Sequence, residues 1–438
     1  MTLWTELIAD IVGGRWVNPE TGQPAQVPYD SIHIAETLES EESTLLESVG
    51  LQGHLVLVCD PTTYEALGRR VEANLSAQGA ISRIVLEHPH ADLQEVERLR
   101  RQVASFSGVV AVGSGTINDL CKHATQLNGQ RYAVFATAGS MNGYTSTTAS
   151  MRLESGLKVS LPSHAPAGVF VDLQVSADAP AYLSASGFGD CLCRSVAQVD
   201  WWLSHRLLGT AYHPAAYVIQ ERDELSLNER VAELPAGDVE AVGFLHRLLT
   251  LGGLATAFTG VSNSGSMGEH QISHYIDCFA GAKHPGTLHG QQVGVASLTM
   301  ARLQRLLLSQ TQPPRLLPTR IDAEGMRQRM GSAVADQCRV EFEKKAFSGE
   351  GLERLNARLA EIWSGLREEV RPFILAVEEM ESMLRASGGP ATSQELGVEA
   401  DFYREAVVHC REMRNRFSFL DIAADAGMLE DFAAEEVR

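Results

Sequence analysis

Five side chains between residues 190 and 289 have the types and spacing of a metal site. His270 and His274 stand four apart in SNSGSMGEHQISHYID, and His284 and His289 follow in GAKHPGTLHGQQVGVASL. Asp190 closes the glycine pair of SASGFGDCLCRSVAQVDWW. Residues four apart on a helix share a face, so two imidazoles there can chelate one cation. The order is EHxxxH and not HExxH, which excludes the zincin arrangement. An aspartate with two or three histidines suits Zn²⁺, Ni²⁺ or Fe²⁺ with one coordination position left open. The residue types alone leave simpler alternatives standing. Polar pairs at this spacing are common on solvated helix faces, and an Asp opening an amphipathic helix is commonly an N-cap.

A second constellation suits a phosphate. In VVAVGSGTINDLCK an apolar run ends at Gly113, Gly115 frees the backbone, and a helix is expected from about Thr116. A helix N-terminus offers unpaired N–H groups and a partial positive charge, and glycines let a pyrophosphate approach closely. The pattern is GxG without a third glycine, so an ordinary strand-to-helix turn explains it equally, with Asp119 favourable in the first turn for dipole reasons alone. Asp60, at the end of HLVLVCD, can accept both hydroxyls of an adenine ribose and would repel a 2′-phosphate; the commoner use of such a residue is to begin the next helix. TAGSMNGYTS, residues 137–146, is small, hydroxyl-rich and uncharged, and follows the apolar run YAVFA.

These residues need a scaffold, and the patterning supplies one. Continuous apolar runs at HLVLVCD, SRIVLE, GVVAVG, YAVFAT and GVFVDL alternate with amphipathic stretches such as PTTYEALGRRVEANLSAQG, where Thr62 or Thr63 could cap, and ADLQEVERLRRQVASF. That alternation predicts a doubly wound parallel α/β sheet. MRLESGLKVSLPS predicts a hairpin, and after about Pro180 helical periodicity dominates. The expected organisation is an N-terminal α/β dinucleotide-binding domain over 1–178 and a helical metal-binding domain over 179–438, with a cleft between them. The acidic stretch QERDELSLNERVAELPAGDVE reads as a solvated helix and loop.

Bulk properties narrow the function classes. A chain of 438 residues with 44% hydrophobic and 21% charged residues suits two globular domains. A net charge of −19 argues against nucleic-acid binding, while leaving room for a local pocket for one small anion. No uninterrupted apolar run reaches membrane-spanning length, and the N-terminus lacks a signal-peptide pattern, so a cytoplasmic protein without membrane insertion is expected. Seven scattered cysteines suit reduced thiols. The close pair Cys191 and Cys193 has no second pair to complete a zinc site.

In order along the chain, GSGTINDLCK, TAGSMNGYTS, GFGD, GEHQISH and LHGQQVGV resemble the iron-containing alcohol dehydrogenase superfamily, with most similarity to its sn-glycerol-1-phosphate dehydrogenase branch. The resemblance runs from about Leu55 to Ala301; the first 50 residues and the tail after about Arg320 carry no usable motif. It implies a Rossmann-like domain followed by a helical one, the dehydroquinate synthase-like fold. It also implies Asp190, His270 and His289 as metal ligands and His274 facing substrate, while His284 has no counterpart and reads as a surface residue. Gly113, Gly115, Thr116, Ile117, Asn118 and Asp119 would cradle the pyrophosphate. Thr137 and Ser140 match the family's cofactor contacts, Ser146 a hydroxyl further along that loop, and Asp60 the ribose-binding acid, for NAD or NADP.

The family usually has Pro at 139 and a substrate-contacting Asp at 142, where this chain has Gly139 and Asn142. An Asn keeps one acceptor, gains a two-proton donor and loses the charge, which eases entry of an anionic substrate. Arg194 stands where Lys is common. The activity the resemblance implies is NAD(P)-linked, metal-dependent interconversion of dihydroxyacetone phosphate and sn-glycerol 1-phosphate, in a homodimer. Lys158, Arg194 and Lys283 are candidate partners for the substrate phosphate. The alternatives are another alcohol or polyol such as glycerol, a 3-dehydroquinate synthase-like cyclase (which normally has Glu at the Asp190 position), and a nucleotide-binding scaffold without activity.

Overall fold

The computed structural model describes residues 4–77, 79 and 81–437, which form two compact units. The first takes in the chain up to Glu154, Lys158–Phe188 and Pro214–Val261; the second takes in Ser155–Leu157, Gly189–His213 and the chain from Ser262. This is not a single cut after residue 178.

Eight strands matter to the first unit: β1 (Ser31–Ala35), β2 (Leu55–Cys59), β3 (Ile81–Val85), β4 (Gly108–Gly113), β5 (Tyr132–Ala136), β6 (Thr148–Arg152), β7 (Lys158–Pro162) and β8 (Gly168–Asp172). Six form an all-parallel sheet in the order β1-β8-β5-β4-β2-β3. Strands β2, β4, β5 and β8 are buried at every residue, because helices cover both faces of a parallel sheet. At the β3 edge burial is partial. The opposite edge, β1, lies in the part of the sequence that carried no motif; its Ile32 pairs with Val169 of β8. The expected hairpin is the antiparallel pair β6–β7, beginning three residues earlier than read, at Thr148.

Helix α1 is a continuous run of Pro61–Thr63, Tyr64–Gly68 and Arg69–Ser76, whose middle segment is a widened i→i+5 turn. Its cap is Asp60, not Thr62 or Thr63. The Asp60 carboxylate accepts from the Thr63 N–H at 2.8 Å, and the Asp60 N–H donates to the Thr63 hydroxyl at 3.0 Å, a reciprocal capping box. Helix α2 (Leu93–Val103) is capped by Asp92, and α3 (Gly115–Asn128) ends on Gly129 at φ 66°, a left-handed position that favours glycine. Neighbouring strands β2 and β4 mark where the strand order reverses. The chain leaves β2 toward the β3 edge, whereas β4, β5 and β8 build the other way. Ligands of doubly wound sheets bind outside the carboxyl ends of the strands at such a point, and Asp60 and Gly113 sit at those two ends.

The remaining elements used below are α4 (Ala181–Leu192), α5 (Arg194–Leu208), α6 (Val239–Thr259), α7 (Gly268–Phe279), α8 (His289–Leu308) and α9 (Gly349–Val370). Helix α6 packs with the first unit for identifiable reasons. Its Gly253 leaves room for Thr145, whose hydroxyl donates to the Thr250 carbonyl at 3.1 Å. Its Arg247 makes a bidentate buried pair with Asp223, 3.0 Å on each arm, and donates to the Trp4 carbonyl at 2.6 Å. Asp223 comes from the acidic stretch read as solvated; burial of its partner draws it inside. By length and composition α6 could cross a membrane, but 72% of that stretch is buried within the protein, as in a core helix.

Candidate metal centre and dinucleotide site

The second unit gathers the histidines. Helix α7 carries His270 and His274 one turn apart, α8 begins at His289, and Asp190 lies near the end of α4. One ligand atom from each of Asp190, His270 and His289 lies within 4.8 Å of the other two. His270 Nε2 is 3.5 Å from Asp190 Oδ1. The His289 ring meets His270 edge-on, with centroids 5.0 Å apart, and stacks on His274 at 5.4 Å and 22°. Asp190 and His270 are buried, and His289 is partly exposed.

Asp190 is not the N-cap that its position after two glycines suggested, because α4 runs through GFGD. The glycines serve close packing instead. A Cβ on Gly189 would collide with the Gly290 carbonyl oxygen and lie 3.0 Å from its carbon. Helix α4 therefore touches the backbone of α8 one residue from Asp190 on one side and one residue from His289 on the other. In the first unit a Cβ on Gly187 would similarly meet the Gly139 carbonyl, 2.9 Å from its carbon.

Behind the ligand atoms is a layer of partners that motif reading missed. His270 Nδ1 is 2.9 Å from Glu269 Oε1, which also accepts from the Met267 N–H at 2.7 Å. His289 Nδ1 is 3.0 Å from the Ser273 hydroxyl. Both rings thus have Nδ1 engaged, leaving Nε2 for a cation, the arrangement in which a metal-binding histidine gives its other nitrogen to a carboxylate or hydroxyl. Burial pushes the His270 pKa down, but its contacts with Asp190 and Glu269 outweigh burial and hold it above the usual value. A cation between Asp190 and His270 would replace that proton. Asp200 of α5 accepts from the Gly268 N–H at the start of α7, at 3.2 Å. Its own pKa is raised to about 8 by burial and then by the nearby Glu269 charge.

Cys193, Glu269 and His270 form a second close group among the described residues. The Cys193 thiol lies against the Asp190 and Gly265 carbonyls at 3.1 and 3.6 Å, and burial raises its pKa. These contacts are those of a buried structural thiol. His284, read as a surface residue, has its side chain only 24% exposed and lies 3.0 Å from Asp277. Of the candidate phosphate partners, Arg194 is buried at the start of α5, whereas Lys283 is exposed and paired with Glu399 at 2.7 Å.

In the first unit α3 starts at Gly115, one residue before the expected start, with Ser114 before it. A Cβ on Gly113 would lie 2.7 Å from Ile117 Cβ, so this glycine lets the first turn of α3 pack onto the end of β4. A Cβ on Gly115 would meet only the Met141 side chain, at 3.6 Å. Asn118 and Asp119 turn toward the protein. Asn118 Nδ2 donates to the Gly143 carbonyl at 3.3 Å, and Asp119 Oδ2 accepts from the Ser150 N–H at 3.0 Å. Lys122, fully buried and missed by motif reading, donates to the Gly143 and Thr148 carbonyls at 2.8 and 3.0 Å. Burial lowers its pKa.

The loop 137–146 is thereby held from several sides. The Tyr144 hydroxyl lies 3.0 Å from the Ala138 carbonyl, the Tyr29 hydroxyl donates to the Thr145 carbonyl at 2.6 Å, and the Ser186 hydroxyl donates to the Ser140 carbonyl at 3.1 Å. Thr137 and Ser140 are buried in this loop, Asn142 precedes the short turn Gly143–Thr145, and the Ser146 hydroxyl lies 2.9 Å from that of Thr148. Thr137 follows β5 directly and Thr116 lies in the first turn of α3, so both are near the switch-point end of the sheet.

Residues 33–180 match the family model described as iron-containing alcohol dehydrogenase. The chain is 30% identical over 381 residues to a glycerol-1-phosphate dehydrogenase [NAD(P)+] of Bacillus velezensis, covering 84% of each chain. It is 29% identical over 280 residues to the glycerol-1-phosphate dehydrogenase [NAD(P)+] of Thermococcus kodakarensis, covering 64% of this chain and 78% of that one. Its fold is similar to that of glycerol dehydrogenase from Schizosaccharomyces pombe, with a TM-score of 0.60 at 16% identity over 93% of this chain and 90% of that one. By this likeness the chain belongs to the iron-containing alcohol dehydrogenase family.

Proposed function

We propose that the protein is a metal-dependent dehydrogenase interconverting dihydroxyacetone phosphate and sn-glycerol 1-phosphate with NAD(P). The observation that carries this reading is the convergence of Asp190, His270 and His289 in a chain similar across most of its length to glycerol-1-phosphate dehydrogenases. A carboxylate and two imidazoles fit Zn²⁺, Ni²⁺ or Fe²⁺ with a position left for substrate oxygen. The cation would supply Lewis-acid polarisation of the carbonyl or alcohol oxygen, and NAD(P) the hydride. The protein's part is to hold and orient. Asp190, His270 and His289 hold the cation. His274, stacked on His289, contacts substrate or passes its hydroxyl proton onward.

The first turn of α3 (Gly115, Thr116, Ile117), with Gly113 before it, takes the pyrophosphate. Asn118 acts from behind by holding the Gly143 carbonyl of the loop on which Thr137, Ser140 and Ser146 meet the cofactor, and Asp119 anchors the adjoining β6 through the Ser150 N–H. Asn142 presents an uncharged amide to a phosphorylated substrate, and Arg194 is the favoured cation for its phosphate. The reduced thiols suit a cytoplasmic enzyme, and a homodimer is the simplest assembly.

Protein reconstituted with Zn²⁺ or Ni²⁺ is expected to oxidise NADH with dihydroxyacetone phosphate at a kcat/KM about 10- to 100-fold above that with dihydroxyacetone, as one charge-assisted phosphate contact supplies. Turnover of the unphosphorylated ketone alone would overturn the substrate assignment; no turnover of either would overturn the dehydrogenase.

Asp60 allows a cleaner test of the cofactor site. Asp60→Ser keeps a good N-cap for α1 but removes the carboxylate. Its thermal midpoint is expected to stay near wild type, while KM for NADH rises about 10-fold or more and NADPH is used relatively better. An unchanged NADH KM would leave Asp60 a cap only.

A further inference from the structure

We propose that a one-way hydrogen-bond relay beginning at Asp277 sets the tautomer of His289 and so makes its Nε2 a metal ligand. This inference rests on the metal site of the proposed function. Each step follows from what a group can donate. A carboxylate accepts only. Gln292 Nε2 lies 3.1 Å from Asp277 Oδ1, which turns the Gln292 NH₂ toward Asp277 and its Oε1 the other way. The Ser273 hydroxyl lies 2.9 Å from that Oε1, so its single proton points there. Ser273 Oγ is then left as an acceptor for His289 Nδ1 at 3.0 Å, and the His289 ring proton sits on Nδ1. Its Nε2 keeps a lone pair. His284 meets the same carboxylate: the Gly286 N–H donates to its Nδ1 at 3.0 Å, so its Nε2 carries the proton and turns it to Asp277 Oδ1 at 3.0 Å. That oxygen accepts from both His284 and Gln292, whose nitrogens lie 3.1 Å apart. Ser273, Gln292 and Asp277 are all buried, so water does not compete for these bonds.

Asp277 is thus a positioning residue that acts on His289 through Gln292 and Ser273. In Asp277→Asn the new amide can offer NH₂ to Gln292, allowing Gln292 to flip. Ser273 then accepts from Gln292 and donates to His289 Nδ1, and the ring proton moves to Nε2, the nitrogen the cation needs. Two readouts test this on the full chain without any substrate. In zinc-free, ¹⁵N-histidine-labelled wild type, NMR is expected to show the His289 proton on Nδ1, and in Asp277→Asn a population on Nε2. Chelator competition with Zn²⁺ is expected to show about 10- to 100-fold weaker binding in Asp277→Asn.

If Asp277→Asn does not fold, Ser273→Ala carries the same expectation and Ser273→Thr, which restores the hydroxyl, should recover wild-type affinity. An Nε2-protonated His289 in wild type would overturn the relay. So would wild-type Zn²⁺ affinity in Asp277→Asn or Ser273→Ala. A protein that shows these shifts yet fails to reduce dihydroxyacetone phosphate would keep the relay and lose the substrate.

Discussion

His270→Ala protein is expected to emerge from desalting without metal and to lose at least about a thousandfold in kcat/KM. His270 Nε2 faces Asp190 at 3.5 Å while Nδ1 is held by Glu269. Removing the ring leaves two donors where a structural or catalytic cation needs at least three from the protein. It also leaves the buried carboxylates of Asp190 and Glu269 without the imidazole between them. Outer partners of a metal site are already worth 10- to 100-fold in affinity, and a direct ligand is worth more. The rate loss follows because several kcal/mol of charge stabilisation disappears, at about 1.4 kcal/mol per tenfold. His274→Ala should keep its metal and lose about 100-fold in turnover, the scale of a positioned acid–base group. Metal content by mass spectrometry and steady-state rates, measured on both variants, decide the matter. His270→Ala with wild-type metal and activity would refute the ligand assignment.

The second large effect belongs to a residue with no side chain. Gly189→Ala should be favourable by local rules, since Ala exceeds Gly by about 1 kcal/mol inside a helix. Tertiary contact reverses the sign. The new Cβ would overlap the Gly290 carbonyl oxygen and lie 3.4 Å from Gly294 Cα, and backbone atoms cannot rotate aside. Helices α4 and α8 must separate, at a cost of about 1–3 kcal/mol or more. That separation also draws Asp190 from His289, whose ligand atoms must keep positions to within a few tenths of an ångström. The expectation is a lowered thermal midpoint together with at least about tenfold weaker Zn²⁺ binding. Gly365→Ala is the control. It lies mid-helix in α9 on an exposed face, with only the Glu369 carboxylate nearby at 3.5 Å, and should gain up to about 1 kcal/mol with metal binding unchanged. Gly189→Ala behaving like Gly365→Ala would show that the close helix contact does not matter to the site.

Much of the fold was legible because it depends on local composition. Runs such as LVLVC and YAVFA are apolar at every residue, which only a strand covered on both faces requires, and the turns between them carry capping and glycine signals. Strand β1 was not legible: SIHIA gains its meaning only from pairing with β8, more than a hundred residues later. The cut after residue 178 followed a change in texture, but helical periodicity does not say which sheet or helix a segment packs against. Helix α6 was therefore placed by Arg247, Asp223 and Gly253, and not by its period.

The site divides in the same way. Residue types narrowed the site to candidates, and only the resemblance of five short motifs to a known family set Asp190, His270, His289, Asp60 and the loop 137–146 apart from the simpler readings. Which atom of each residue is available was decided only in three dimensions. Asp60 closes a capping box, Asn118 turns to the loop and Asp119 to the Ser150 N–H of β6, and Glu269 and Ser273 claim the Nδ1 atoms of two imidazoles. Asp277, Gln292 and His284 looked like unrelated polar residues until folding brought them to hydrogen-bond distance. The physical reason is one of range. Propensity and motif chemistry act within a few residues, whereas a hydrogen bond's direction depends on what its partner can donate, and the partner is chosen by packing.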